Sequence, residues 1–394
     1  MTTTKNNEHK KLNVPNSTDK GNVIRNVPNL RFPEFEEEWA GKTIGDIAPL
    51  QRGFDLPTGQ IKNGKYPVVY SNGIMNHHSS YKCAAPGLIT GRSGTIGKFT
   101  YIENGYYWPH NTSLWVTDFY DNNPKFINYL YQTICIEQYS TGSGVPTLNR
   151  NNVHRHKTFI PKLKEQNKIA TFLSLLDERI ATQNKIIDGL QSLMRGINQN
   201  VFTDDGFSYK LKEICEIRSG YSGNQLTSKN GLKVSRIETI SGHKVNIERV
   251  GYVAPFDSSE NYRLQIGDIL FSNINSVEYI GNTAFIEKEY DLYHGMNLLR
   301  LMPKENIVIP FYLYLLLNTK KMQNHFKTIC NKAVSQASIN QTELGKTIIK
   351  IPNIKTQKQR CELFQALYDK LETENNAMSL LQKQKQYLLR QMFI

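Results

Sequence analysis

The stretch GRSGTIGK, from Gly91 to Lys98, has the composition of a loop that grips an anion. Glycines let backbone N–H groups come close, and Arg92 and Lys98 bring charge. A nucleotide loop needs four residues between its first glycine and a GK pair, then Ser or Thr. Here five residues separate Gly91 from Gly97, and Phe99 follows Lys98. The stretch reads instead as a tight turn between strands that sets N–H groups, Arg92 and Lys98 against a nucleic-acid phosphate. His77 and His78 are adjacent, so they cannot form the i, i+4 pair of a zinc helix, and they read as loop histidines. His154 and His156, on either side of Arg155, suit phosphate contact on one face of a strand. Cys83, Cys135, Cys215, Cys330 and Cys361 have no zinc or CxxC spacing. There is no HExxH, no GxSxG, no dinucleotide GxGxxG unit, no Asn/Asp-Pro-Pro-Tyr motif of amino-methyltransferases and no helicase motif. The polar residues therefore point to binding, with no metal and no catalytic group.

The chain has 394 residues, formal charge +13 and 10% aromatics. Its length fits two to three domains. So large a basic surplus fits a polyanionic partner through counterion release, or a basic surface kept for solubility. Scattered cysteines suit a reducing cytoplasm. No apolar run reaches the roughly 18 residues of a membrane span. The polar start reads as a flexible tail over residues 1–28 with no signal-peptide core.

The elements that would position these residues occur twice. IPKLKEQNKIATFLSLLDERI… from Ile160 and IPNIKTQKQRCELFQALYDKL… from Ile351 align without a gap at an offset of 191. Pro161/Pro352, Gln166/Gln357, Leu176/Leu367, Leu190/Leu381 and Phe202/Phe393 are identical. Each copy alternates steps of four and three, a heptad seam. The first seam carries Ile169, Leu173, Leu176, Ile180, Ile187 and Leu190. The second carries Phe364, Leu367, Leu371, Met378, Leu381 and Leu388. Gln183 and Glu374 interrupt the two seams at the same step. Fainter echoes precede each helix. TIGDIAPLQRG resembles KLKEICEIRSG, GLITGRSGTIGKFTYI resembles GDILFSNINSVEYIGNTAFI, and VPTLNRNNV matches QASINQTEL.

The expected class is α+β: two mixed α/β domains separated by two long helices that form an antiparallel coiled coil. The expected boundaries are a first domain over 29–160, a helix over 161–204, a second domain over 205–351 and a helix over 352–394.

The segment P-x-L-x-E-Q-x-x-I-A-x-F-L-x-x-L-D, Pro161 to Asp177, together with NLRFPEFEEEW and GLITGRSGTIGK, resembles the specificity subunit of Type I restriction-modification systems. The second helix departs from the pattern, with Thr356-Gln357 in place of the Glu-Gln pair. The resemblance covers residues 29–394. It implies two target-recognition domains that read a bipartite, asymmetric double-stranded DNA target. It also implies two methyltransferase subunits and two restriction subunits as partners, which use S-adenosylmethionine, ATP and Mg2+. This chain would bind no cofactor directly and would not be an enzyme.

Base reading needs polar side chains on loops that enter a groove. In the first module these are Arg92, Ser93, Thr95, Lys98, Asn111, Asn149 and Arg150, with Lys62 and Lys65 as phosphate anchors. In the second they are Ser272, Asn273, Asn275, Ser276, Asn297, Gln336, Ser338 and Asn340, with Lys229, Lys233 and Arg236 gripping the backbone. For each, a solvated loop residue is the competing reading. A stand-alone tandem DNA-binding protein and a protein-only coiled-coil scaffold are the competing readings of the whole chain.

Overall fold

The computed structural model describes residues 26–142, 144–202, 205–333 and 336–394; the expected tail lies outside them up to residue 25. The described residues fall into two compact units: those up to Ala181 with Ser379–Ile394, and Thr182–Met378. The division runs through both long helices rather than at their ends. An amphipathic helix must bury its stripe on a neighbouring body, so each unit takes part of both helices.

In the first unit, β1 (Ala40–Thr43) leads into the short helix α1 (Ile44–Ile47) and β2 (Leu50–Arg52). Then come β3 (Tyr66–Tyr70), β4 (Gly73–His78), β5 (Cys83–Ala84), β6 (Gly87–Gly91), β7 (Phe99–Ile102), β8 (Tyr106–Pro109) and β9 (Ser113–Val116). Helix α2 (Pro124–Thr133), the hairpin β10 (Ser140–Thr141) and β11 (Thr147–Leu148), helix α3 (Arg150–His154) and β12 (Lys157–Ile160) complete it. One sheet has the order β2-β9-β6-β7 and a second β4-β3-β8-β5, while β12 closes back on β1. The central strand β6, GLITG, is buried throughout. Alternation along the sheet feeds two cores. Leu50, Leu88, Leu114 and Val116 pack with α2 in the main one, and Ile89 and Ile102 pack with Val69, Cys83 and Tyr107 in a smaller one.

The second unit repeats the plan. The long helix α4 (Leu163–Val201) leads to β13 (Phe207–Lys210), α5 (Leu211–Ile214) and β14 (Cys215–Ser219). Next are β15 (Leu232–Val234), β16 (Gly251–Val253), β17 (Ile269–Ser272), β18 (Ile274–Asn275), β19 (Thr283–Phe285) and β20 (Leu298–Pro303). Helices α6 (Pro310–Leu317) and α7 (Lys320–Ile329), strands β21 (Asn331–Lys332) and β22 (Ala337–Ser338), helix α8 (Gln341–Lys346), β23 (Ile348–Ile351) and the long helix α9 (Ile354–Gln391) follow. The main sheet has the order β14-β20-β17-β19, the counterpart of β2-β9-β6-β7, and β13 pairs with β23 as β1 does with β12. Ile269, Phe271, Leu299 and Leu301 face the main core, whereas Leu270, Ala284 and Leu298 face a smaller one.

Helix α4 has 39 residues and α9 has 38. The identical glutamines near their starts do the same work. Gln166 is buried; its Oε1 accepts from Asn123 N (2.9 Å), and its Nε2 donates to Pro161 O and Asn122 Oδ1, each at 2.9 Å. Gln357 is buried; its Oε1 accepts from Ile309 N (2.9 Å), and its Nε2 donates to Pro352 O (2.9 Å) and Ile307 O (3.1 Å). Each glutamine thus pins the start of an apolar helix, α2 or α6, to the long helix. The neighbouring position differs for a visible reason. Glu165 takes Arg31 (2.8 Å) and Trp39 Nε1 (3.2 Å) from the N-terminal segment, while Thr356 N–H caps onto Asn353 (2.9 Å).

The seam positions Ile169, Leu173, Ile187, Phe364, Met378, Leu381 and Leu388 are buried, and Leu176, Ile180, Leu190, Leu367 and Leu371 are half-buried. Within the first unit, Lys385 Nζ lies 2.6 Å from Asp177, and Phe393 stacks on Phe126 with centroids 5.3 Å apart. Within the second, Gln183 Nε2 donates to Glu374 O (3.0 Å) and to its carboxylate, and Phe202 lies 5.7 Å from Phe364. In that unit rising numbers on α4 meet falling numbers on α9, so the segments there are antiparallel. The two polar interruptions, each half-buried, hydrogen-bond to each other.

Candidate nucleic-acid interface

In the first module the chain after β6 turns sharply. A Cβ on Gly91 would strike the Thr95 carbonyl, and one on Gly97 (φ 82°) would strike the Glu137 carboxylate. These glycines are there for close packing of the loop. Gly94 (φ 80°) sits in open space at the tip. Backbone bonds join this loop to two others: Arg92 N to Thr112 O (2.9 Å), Gly94 N to Pro146 O (3.2 Å) and Leu148 N to Arg92 O (2.7 Å). Lys98 Nζ reaches Asn72 O in the β3–β4 turn (2.8 Å). One edge of the module therefore gathers Arg92, Ser93, Thr95 and Lys98 beside the β10–β11 hairpin.

The second module builds the same edge from other side chains. After β17, Ile274–Asn275 pairs with Ala337–Ser338, which also pairs with Asn331–Lys332. Ile339 N donates to Asn273 O (2.9 Å). Asn273, Ser276 and Ser338 lie at this edge. Gln336 joins it by accepting from Ala333 N (2.8 Å). Lys332, exposed on β21, was missed from sequence, although the 191-residue offset places Asn331-Lys332 opposite Ser140-Thr141.

Several of the expected contact residues have partners within the module. Ser272 is fully buried inside β17 and cannot meet a groove. Asn275 is engaged on both sides, donating to Ser272 Oγ (3.1 Å) and accepting from Ser276 N (2.8 Å). The aligned Asn149 and Asn340 are N-caps, accepting from Asn151 N (3.0 Å) and Glu343 N (2.8 Å). Asn111 donates to the Asp55 carboxylate. Asn297 (φ 64°) is a turn residue. His154 ends α3 and accepts from Leu50 N at Nε2 (2.8 Å), and His156 Nδ1 meets Tyr139 Oη (2.7 Å). Burial holds both imidazoles below their usual range, so neither offers a phosphate a cation at neutral pH. His77 and His78 are on strand β4, and His78 is buried.

The remaining basic residues are exposed or only loosely paired. Arg150 is exposed at the start of α3, and Lys62 and Lys65 are exposed ahead of β3, with Lys65 Nζ 5.4 Å from the Tyr66 ring centroid. Lys229 lies on the approach to β15. Lys233 is 3.8 Å from Asp291, and Arg236 is 3.5 Å from Glu238. They belong to the β15–β16 side of the module, not to the edge at residues 273–276. Such exposed pairs are weak enough to be exchanged. Among the described residues no group of three or more His, Cys, Asp or Glu could hold a metal, and no helix is long and apolar enough to cross a membrane.

Among curated proteins, the chain is 43% identical over 188 residues to the "Putative type I restriction enzyme MjaX specificity subunit" of Methanocaldococcus jannaschii, covering 47% of this chain and 44% of that one. It is 25% identical over 283 residues to the type I restriction enzyme MjaVIII specificity subunit of the same organism, covering 64% and 65%. The chain thus spans under half the length of the first relative and just under two thirds of the second. The Type-I restriction-modification system S subunit from M. genitalium shares the fold at a TM-score of 0.59 and 17% identity, over 93% of this chain and 99% of that one. The profile of the Type I restriction modification DNA specificity domain matches residues 36–192 and again 205–382, so the chain belongs to that family, with one match in each half.

Proposed function

We propose that this chain is the DNA-reading subunit of a Type I restriction-modification enzyme and that each module reads one half of a split, asymmetric target. The observation that carries the reading is the repeated edge. A loop after the central strand is laced to a hairpin in both modules, with Arg92, Ser93, Thr95 and Lys98 in one and Asn273, Ser276, Gln336 and Ser338 in the other. Equivalent scaffolds carrying different donors and acceptors suit two different short sequences. Lys62, Lys65, Lys229, Lys233 and Arg236 act on phosphates, which position the protein without specifying letters.

In this reading α4 and α9 form an antiparallel coiled coil that sets the unread spacer. A helix of 39 residues is about 58 Å long, against roughly 34–36 Å for a turn of B-DNA. The exposed helix faces dock two methyltransferase subunits, and two restriction subunits join the full complex, in the cytoplasm. Those partners use S-adenosylmethionine, ATP and Mg2+. This chain contributes no cofactor pocket and no reacting group, and base flipping takes place in the partner.

The test is to express the chain with its modification subunit and map methylation across a genome. A split motif with a constant spacer is expected. An assembled complex that methylates a contiguous motif, or none, overturns the reading.

A further inference from the structure

In the second module, Arg218 on the edge strand β14 lies opposite Arg300 on β20, on the sheet face turned away from the main core. Arg300 is only 5% exposed. Its Nη2 is 2.6 Å from Asp268, itself buried, which holds the guanidinium in place. The rest of the group is poorly served. Nη1 reaches Asn261 O at 3.4 Å, and the buried Nε has no hydrogen-bond partner among the described residues. A buried donor left unpaired costs about 1–3 kcal/mol, so it calls for a reason.

Beside it opens a cleft of about 580 Å3, lined by Arg218, Ser219, Ser258, Asn261, Tyr262 and Gln341 along with Arg300. The lining is rich in donors and has no carboxylate of its own. Arg218 pairs with Glu216 at 2.6 Å, but both side chains are about half exposed. Such a pair is worth roughly 0–1 kcal/mol and gives way to a better anion. Gln341, tied to Ile217 O at 2.6 Å, directly follows the α8 cap, so the cleft borders the edge that carries Ser338. The first module carries no arginine pair at this register, although the buried Trp115 Nε1 there is likewise without a partner among the described residues. The same register there sets Gln51 opposite Trp115, whose ring lies 6.2 Å from Phe54.

We propose that this cleft seats a phosphodiester of the DNA backbone, with Arg218 at the lip and Arg300 on the floor, an anchor that the second module has and the first lacks. The inference rests on the DNA-reading function above. The test uses the full chain with Arg218→Gln, with Gln51→Ala as a first-module control. Duplex affinity is measured between about 50 and 300 mM salt. Loss of one phosphate contact lowers the slope of log K against log salt by about 0.9. That drop, with affinity falling by the same factor for cognate and random duplexes, is the expected result. Arg218→Lys restores most of the slope, and Gln51→Ala leaves it unchanged.

A wild-type slope retained in Arg218→Gln overturns the seat while leaving the DNA-reading function intact. A wild-type chain whose duplex binding ignores salt overturns both. Inorganic phosphate supplies the other arm. If it raises the melting temperature of wild type but not of Arg218→Gln, while the DNA slope is the same in both, the cleft takes a free anion and the backbone assignment is wrong.

Discussion

Replacing Gln357 with leucine changes little volume but removes three hydrogen bonds from a fully buried site. The Ile309 N–H loses the partner that holds it at the start of α6, a helix with no side-chain cap at that residue. The carbonyls of Ile307 and Pro352 lose donors as well. An unpaired buried group costs about 1–3 kcal/mol, the N–H most and the carbonyls least. The added apolar surface returns about 1 kcal/mol. The net is a destabilisation of about 3 kcal/mol in the second unit, on the order of 100-fold in its unfolding equilibrium. Gln166→Leu should cost a similar amount in the first unit, because Asn123 N, the Asn122 side-chain Oδ1 and the Pro161 carbonyl lose the matching bonds. Amide hydrogen exchange on the full chain reads the two units separately, which a single melting curve does not. Protection should fall around α6 and the start of α9 in one variant and around α2 and the start of α4 in the other. A loss under 1 kcal/mol in Gln357→Leu, or protection lost equally in both units, would refute the clamp.

Other consequences follow from the same geometry. Arg92→Ala should relax one letter of the first half-site by about 1–3 kcal/mol, whereas Lys62→Ala should weaken all duplexes alike; competition binding against single-base variants separates the two. A seven-residue insertion between Gln183 and Leu193, matched in α9, adds about 10 Å of helix and should lengthen the unread spacer by about three base pairs, leaving the half-site letters unchanged in a methylation map. His294 is buried, and its imidazole is pushed down to about 4 by that burial. Because the unfolded chain binds this proton more readily, the stability it contributes is whole above about pH 6.5. It falls by about 3 kcal/mol as the pH drops to 4. His294→Gln should flatten that part of the pH–stability curve measured by denaturant titration.

The long helices were legible in the sequence because a 3.6-residue period is a local property. The steps from Ile169 to Leu190 and from Phe364 to Leu388 specify a stripe whatever lies beside it. The duplication was legible for the same kind of reason, since a gap-free offset of 191 needs no partner to be seen. What the polar residues do was not legible. Asn149 and Asn340, which align as readers, also cap helices, Ser272 is inside a strand, and His154 takes an N–H from Leu50, 104 positions away. Residue type states how many hydrogen bonds a side chain can make. Only the tertiary structure decides whether they are spent on the backbone beneath, as with Gln166 and Gln357, or left unpaired among the described residues inside the fold, as with Nε of Arg300.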